Sequence, residues 1–257
     1  MHAKTSHRTA AFVLHTLDYG ESDRIVTFYT ADFGKLKGIA KGARRSKRRF
    51  VNALEPFSCL EILFSRRGRD TLALIEDCTP ICHYETVRAD LESTLVASYL
   101  IDLTDQFTPE GKRQTDIYQL LEGFLALVAE GRSSEGLWRF FELRLLKLTG
   151  YEPVLDRCLS CLVPLKPEES YHFAVREGGL KCRRCCENPY DTLPISLGTI
   201  RTLLLGKEMD LGKLHRLVIS PQAARESRTI LAAFIRHVLG RELKSVNVLN
   251  EIRRLGI

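Results

Sequence analysis

Four cysteines carry the most specific chemistry in this chain: Cys158 and Cys161, then Cys182 and Cys185. Each pair has C-x2-C spacing, and twenty residues separate the pairs, as in a four-thiolate zinc site. Two sulfurs three residues apart on a tight turn grip one face of a metal ion. A second such turn closes the tetrahedron, with Zn–S bonds of about 2.3 Å. Between the pairs, Tyr171 to Val175 is strand-like and Gly178-Gly179 supplies a turn before Leu180, so the insert reads as a hairpin. Four thiolates leave no coordination position open, so the expected role of one zinc per chain is structural. Cys186 is an alternative to Cys185, which would give C-x3-C, and His172 is a more distant competitor.

Disulfides are the competing use of these thiols. The stretch from Met1 to Arg8 is polar and basic, without an apolar signal core. The expected compartment is therefore cytoplasmic, close to the nucleoid, where a reducing environment favours metal over disulfide. Cys59, Cys78 and Cys82 lie in or beside apolar strands and read as buried free thiols.

A second constellation is electrostatic. Residues 33 to 54 contain eight Lys or Arg and no Asp or Glu. The chain carries +6 overall, so the remainder is slightly acidic and the positive charge is concentrated in one element. Lys35, Lys37 and Lys41 share one parity of a predicted strand and hence one face. Leu36, Gly38 and Ala40 face the other way. The strand runs into a loop bearing Arg44, Arg45, Lys47, Arg48 and Arg49. A lysine face beside an arginine loop suits a groove that tracks phosphates. The alternative is a solvated loop that serves solubility, at the cost of self-repulsion. Phe28, Tyr29, Phe33, Phe50 and Phe57 are nearby candidates for base stacking, although a small barrel needs most of them inside.

The elements that must position these residues fall into three styles. From about Thr9 to Pro80 the sequence reads as five short strands: 11–16, 24–30, 35–41, 59–64 and 71–75. Five strands in so short a stretch suit a small barrel of OB-fold type, here residues 1–80. From 81 to 150, helical periodicities dominate: Leu91, Leu95, Tyr99 and Leu103, then Leu120, Phe124, Leu127 and Val128. Helical patterns return at 195–205, 222–239 and 246–255. The predicted organisation is an α+β multidomain chain. A helical domain of residues 81–150 and 191–257 is interrupted by a zinc module at 151–190.

The remaining features exclude more than they assign. No apolar run reaches the length of a transmembrane helix, and 44% hydrophobic residues is ordinary for a globular chain. The segment Gly206 to Leu214 has the wrong spacing for a P-loop and lacks the Ser or Thr that would hold magnesium. Asp18, Glu21 and Asp23 suggest a nuclease metal site, but in a turn beside Arg24 capping and ion pairing are the simpler roles. No catalytic function is expected.

Several stretches together resemble the RecO family of bacterial recombination mediators: Val13 to Thr27, Gly34 to Arg45, Ala53 to Phe57, Ala97 to Leu100, Phe141 to Leu146, Thr149 to Pro153, and Asp156 to Cys161. They follow in order over nearly the whole length. The resemblance implies an N-terminal OB domain, a helical domain and a zinc module. It implies binding of single- and double-stranded DNA and annealing of complementary strands. It also implies action with RecR and, in some bacteria, RecF, to load RecA onto strands coated by single-strand-binding protein. The acidic C-terminal tail of that protein is a further implied partner. For it, the helical block offers apolar stripes with Arg88, Arg113, Arg139, Arg144 and Lys147. One departure from the family pattern is Leu162, which follows the first cysteine pair where glycine is usual.

Overall fold

The structure, a computed structural model, describes residues 5–248 except 47, 52, 67–70, 83, 133, 134, 187, 189, 190 and 247. It divides into two compact units, residues 1–131 and 132–257.

The first unit is built on a closed barrel of five strands: β1 (Ser6–Tyr19), β2 (Asp23–Thr30), β3 (Gly34–Ala40), β4 (Cys59–Ser65) and β5 (Ala73–Cys82). Their order around the barrel is β1-β2-β3-β5-β4, with β3 and β5 parallel and the other pairs antiparallel. Alternation along β3 is strict: Leu36, Gly38 and Ala40 are buried, and Lys37 between them is exposed. Inward-facing Val13, Val26, Phe28, Leu36, Leu60, Ile62, Phe64 and Ile75 fill the interior. The outer face is not all solvated. Helices α1 (Glu85–Ala89), α2 (Leu91–Phe107) and α3 (Thr115–Ala129) follow, and Phe12 packs its ring 5.1 Å from that of Tyr118 on α3. Tyr29 donates from its hydroxyl to the Gln114 carbonyl at 3.3 Å.

The second unit contains α4 (Glu135–Thr149), then β6 (Val154–Cys158), β7 (Tyr171–Ala174), β8 (Gly179–Cys182) and β9 (Thr192–Ile195) in one sheet of order β6-β8-β7-β9. Three helices complete it: α5 (Leu197–Glu208), α6 (Leu211–Leu214) and α7 (Pro221–Leu239). Ser196 and Ser220 cap α5 and α7 through their side chains, and Gly240 ends α7 in the left-handed conformation. Phe173 of β7 meets Phe234 of α7 edge to face at 5.7 Å.

Two features differ from the sequence expectation. The helices predicted to form one domain divide between the units, with α1–α3 grouped with the barrel and α4–α7 with the sheet. The predicted hairpin is present as β7 and β8, but β6 and β9 extend it to a sheet that runs past residue 190. Most of the helix expected at 246–255 lies outside the described residues.

The β2–β3 turn shows how tightly the first unit is assembled. Gly34 has a φ of +66°, and a Cβ there would lie 1.9 Å from the Lys112 carbonyl oxygen. Gly34→Ala should therefore combine left-handed strain with a backbone clash. The expected cost is about 2–4 kcal/mol, read as a lower urea midpoint.

Candidate metal centre and nucleic-acid interface

The metal centre forms where strands end. Cys158 closes β6 and Cys182 closes β8, and each is followed at once by a turn. In the first turn the Leu162 amide donates to the Cys158 carbonyl at 3.0 Å, and in the second the Cys185 amide donates to that of Cys182 at 3.0 Å. The sulfurs of Cys158, Cys161, Cys182 and Cys185 all lie within 4.8 Å of one another. A tetrahedron with Zn–S bonds of about 2.3 Å needs edges of about 3.8 Å, and the Cys161 to Cys182 distance is 3.9 Å. The donor set thus fits a tetrahedral thiophilic ion. Cys186 is turned away, its Sγ 3.5 Å from the Thr192 hydroxyl, and His172 is not in the cluster.

The thiols are poised unequally. Burial opposes ionisation of Cys158, but backbone N–H groups of Cys161, Cys182 and Ser160 outweigh it and bring that thiol down to about 6. Cys185 is pushed up to about 12, first by its contact with Cys182 and then by burial. Burial also raises Cys182. A bound cation would reverse this mutual opposition and release protons. Leu162, where glycine is usual in the resembled family, has a φ of +59°. The turn therefore holds a leucine in a conformation that glycine adopts freely, and 64% of the residue is exposed.

The basic constellation assembles at the other end of β3 from Gly34. Gly42 adopts a φ of +69°, and its amide donates to Asp23 Oδ1 at 2.8 Å. This contact, and that of Ser22, hold the Asp23 carboxyl below the usual carboxylate range. The chain then makes a short 3-10 turn over Ala43–Arg45, tied by the Arg44 amide to the Ser22 carbonyl at 3.0 Å. Arg49 donates to the carbonyls of Glu76 and Lys41 at 3.3 and 3.2 Å and sits over the Phe50 ring. Lys37, Lys41, Arg44, Arg45, Arg48 and Arg49 are all exposed, while Lys47 lies outside the described residues.

For Arg44 and Arg45 the acidic partners missing from the local sequence come from the β1–β2 turn, while Lys37 pairs with Glu110 at 3.4 Å. Arg44 lies 3.5 Å from Asp18, and Arg45 lies 3.4 Å from Glu21. Asp18 also pairs with Arg24 at 3.2 Å. These are exposed pairs, each worth about 0–1 kcal/mol, so an anion could displace them at small cost. The acidic residues considered for a nuclease site are thus engaged in capping and pairing.

Lys35 is not on the exposed face. Its ammonium donates to the Asp105 carbonyl at 2.7 Å and to Oδ1 at 3.2 Å, and the two side chains are 13% and 18% exposed. His15 adds a second contact, Nε2 to Oδ2 at 3.3 Å. Burial of Asp105 is outweighed by His15 and Lys35, which hold its carboxyl low. The hydrogen bond to Asp105 raises His15 in turn. The strand parity is as expected, but α2 covers this end of the face.

Of the five candidate stacking aromatics, Phe28, Tyr29, Phe50 and Phe57 are buried, and Phe33 is half-buried. The sequence reading missed Tyr19. It is 55% exposed at the end of β1, next to Gly20, whose carbonyl accepts from Arg44 at 3.3 Å. An aromatic at a strand end just before an acidic turn was the available signal. The helical-block cations are engaged too. Arg88 donates to Pro56 and Ser58, Arg113 pairs with Asp32, Arg139 with Glu142, and Lys147 with Glu208. Arg144 donates to the carbonyls of Gly206 and Met209.

The family model described as Recombination protein O N terminal matches residues 1–84, and that described as Recombination protein O C terminal matches residues 88–247. The chain belongs to the RecO family. It is 53% identical over 259 residues to "DNA repair protein RecO" of Syntrophus aciditrophicus, covering 100% of both chains. It is 35% identical to the protein of that name from Anaeromyxobacter sp. (strain K), over 93% of this chain and 94% of the relative. For Halalkalibacterium halodurans the identity is 31%, over 97% and 96%. Among the described residues, no helix is long and apolar enough to cross a membrane.

The two lysines of β3 should separate by experiment. Lys35→Ala leaves the part-buried Asp105 carboxylate with one cationic partner fewer and should cost about 1–3 kcal/mol. Lys37→Ala, at an exposed site, should change stability by less than about 0.5 kcal/mol. Urea titration of the two variants checks the contrast.

Proposed function

We propose that this chain is a DNA-binding recombination mediator that works in DNA repair without catalytic chemistry. The observation that carries the proposal is the exposed basic loop, fixed to the barrel by Gly42 and Asp23 and paired, among the described residues, with the surface acids Asp18 and Glu21. Lys37, Lys41, Arg44, Arg45, Arg48 and Arg49 would contact phosphates of single- and double-stranded DNA, with Lys47 in the same loop. Tyr19 would offer a ring to a splayed base. Annealing then needs no reacting side chain. Strands repel through their phosphates, cationic surface lowers that cost, and base pairing selects the product. Membership of the RecO family supports RecR, the tail of single-strand-binding protein, RecA and RecF as the partners to test.

The metal is proposed to be zinc, held by Cys158, Cys161, Cys182 and Cys185. It would cross-link the two turns that end β6 and β8. Freshly purified protein should contain one zinc per chain by elemental analysis. Chelation should unfold the second unit while the barrel retains its structure, as seen by far-UV circular dichroism and limited proteolysis. Protein without stoichiometric metal would rule this assignment out.

For DNA, affinity should be independent of sequence and fall with salt. Four to six phosphate contacts give a log K versus log salt slope of about −3 to −4 on single strands. Replacing Arg44, Arg45, Arg48 and Arg49 together with Glu should remove most of the affinity and the annealing activity. Normal DNA binding by that variant at physiological salt would overturn the assignment of the loop.

A further inference from the structure

Beyond that reading, we propose that Cys59 and Cys82 are a redox modification site, closing into a reversible disulfide across the end of the barrel when the protein meets a peroxide. Cys59 opens β4, Cys82 closes β5, and the two are directly opposed in the antiparallel ladder. Side chains of opposed residues leave a sheet on the same face. Opposed residues of an antiparallel ladder typically have Cα atoms about 4.5–5.5 Å apart, within the range of about 4.4–6.8 Å that a disulfide requires, and the two cysteines are close enough for Cys82 to act electrostatically on Cys59. The ladder is irregular at this point. Leu60 is opposite Pro80, so Ile81 is skipped, and this bulge gives the backbone latitude to meet the bond's dihedral demand.

The two thiols have complementary surroundings. Cys82 is exposed and accessible to a small oxidant. Cys59 is buried, its Sγ 3.5 Å from the Tyr118 hydroxyl, and burial raises its thiol, so it does not compete for the oxidant. In the first step the Cys82 sulfur attacks hydrogen peroxide. The O–O bond breaks, one oxygen remains on sulfur as a sulfenic acid, and one water leaves. In the second step the Cys59 sulfur attacks that of Cys82. The S–S bond forms, the S–O bond breaks, and the Cys59 proton leaves with the oxygen as a second water. Two thiols are oxidised to one disulfide, and one peroxide is reduced to two waters.

Cys78 provides an internal contrast. It lies on the same strand, but its opposite residue is Ile62. It belongs to the barrel core, and burial pushes its thiol up to about 12. It has neither an exposed surface nor a cysteine across the ladder. The bond would fasten the end of β5, where the chain leaves the barrel for α1, to the start of β4, where the basic loop re-enters it.

The test uses the reduced, full-length chain. It is treated with a few equivalents of hydrogen peroxide, then alkylated, digested without reduction and mapped by mass spectrometry. The expected product is a peptide pair linked through Cys59 and Cys82 that disappears with dithiothreitol, while Cys78 stays alkylatable. Cys82→Ser alters an exposed position and should fold normally. It should lose the linked product and leave Cys59 a free thiol. Oxidised wild type should show a barrel melting transition raised by several degrees, about what a moderate loop restraint gives, with no rise in Cys82→Ser. The proposal is overturned if Cys82 proceeds to sulfinic or sulfonic acid while Cys59 remains free. Formation of the bond only in denatured protein overturns it equally.

Discussion

Closure of the barrel by a single long strand is the constraint on which the first unit depends. β1 has fourteen residues. It pairs with β4 through Ser6 to Phe12 and with β2 through Ala11 to Tyr19. Ala11 and Phe12 are therefore committed on both edges. A closed sheet demands this offset, because strands must tilt and stagger to meet. The register shift between Val13 and His15 lets the strand bend between its two partners. The β1–β2 turn is thereby delivered to the pole where β3 ends. The contacts from Gly42 and Arg44 to that turn follow, and with them the place of the arginine loop.

The metal centre rests on a different economy of chain. Cys158 and Cys182 end neighbouring strands of one sheet, with β6 and β8 in parallel. Two of the four clustered cysteines are thus positioned by backbone hydrogen bonds alone. The other two, Cys161 and Cys185, follow three residues later on turns that the same strands launch. The sheet supplies order and the turns supply proximity, so a small module can gather four mutually repelling sulfurs.

What was legible in the sequence was local. The cysteine spacing encodes the four-sulfur cluster because a tight turn fixes which sulfurs can meet. Alternation identified β3 because Leu36, Gly38 and Ala40 must enter a barrel too small for charge. What was not legible involved partners far along the chain. Nothing near Lys35 announces Asp105 seventy residues on, and nothing near Arg44 announces Asp18. β9 escaped notice because Pro194 argues against a strand, and its position at the sheet edge is where proline is tolerated. The helical periodicities gave the helices but not their allegiance, since an apolar stripe does not state which core it joins.

One feature of α4 has an evolutionary consequence. Arg139 and Glu142 form an ion pair at 2.9 Å on α4, among buried Leu137, Trp138, Phe140, Phe141 and Leu143, their own side chains 7% and 0% exposed. Changing one partner of a buried ion pair alone is generally destabilising, whereas replacing both with apolar residues of similar volume is often neutral. The two positions therefore have no viable single-step neighbour but an accessible double one. Across diverging lineages they should co-vary, appearing either as the charged pair or as two hydrophobic residues and rarely as a mixture.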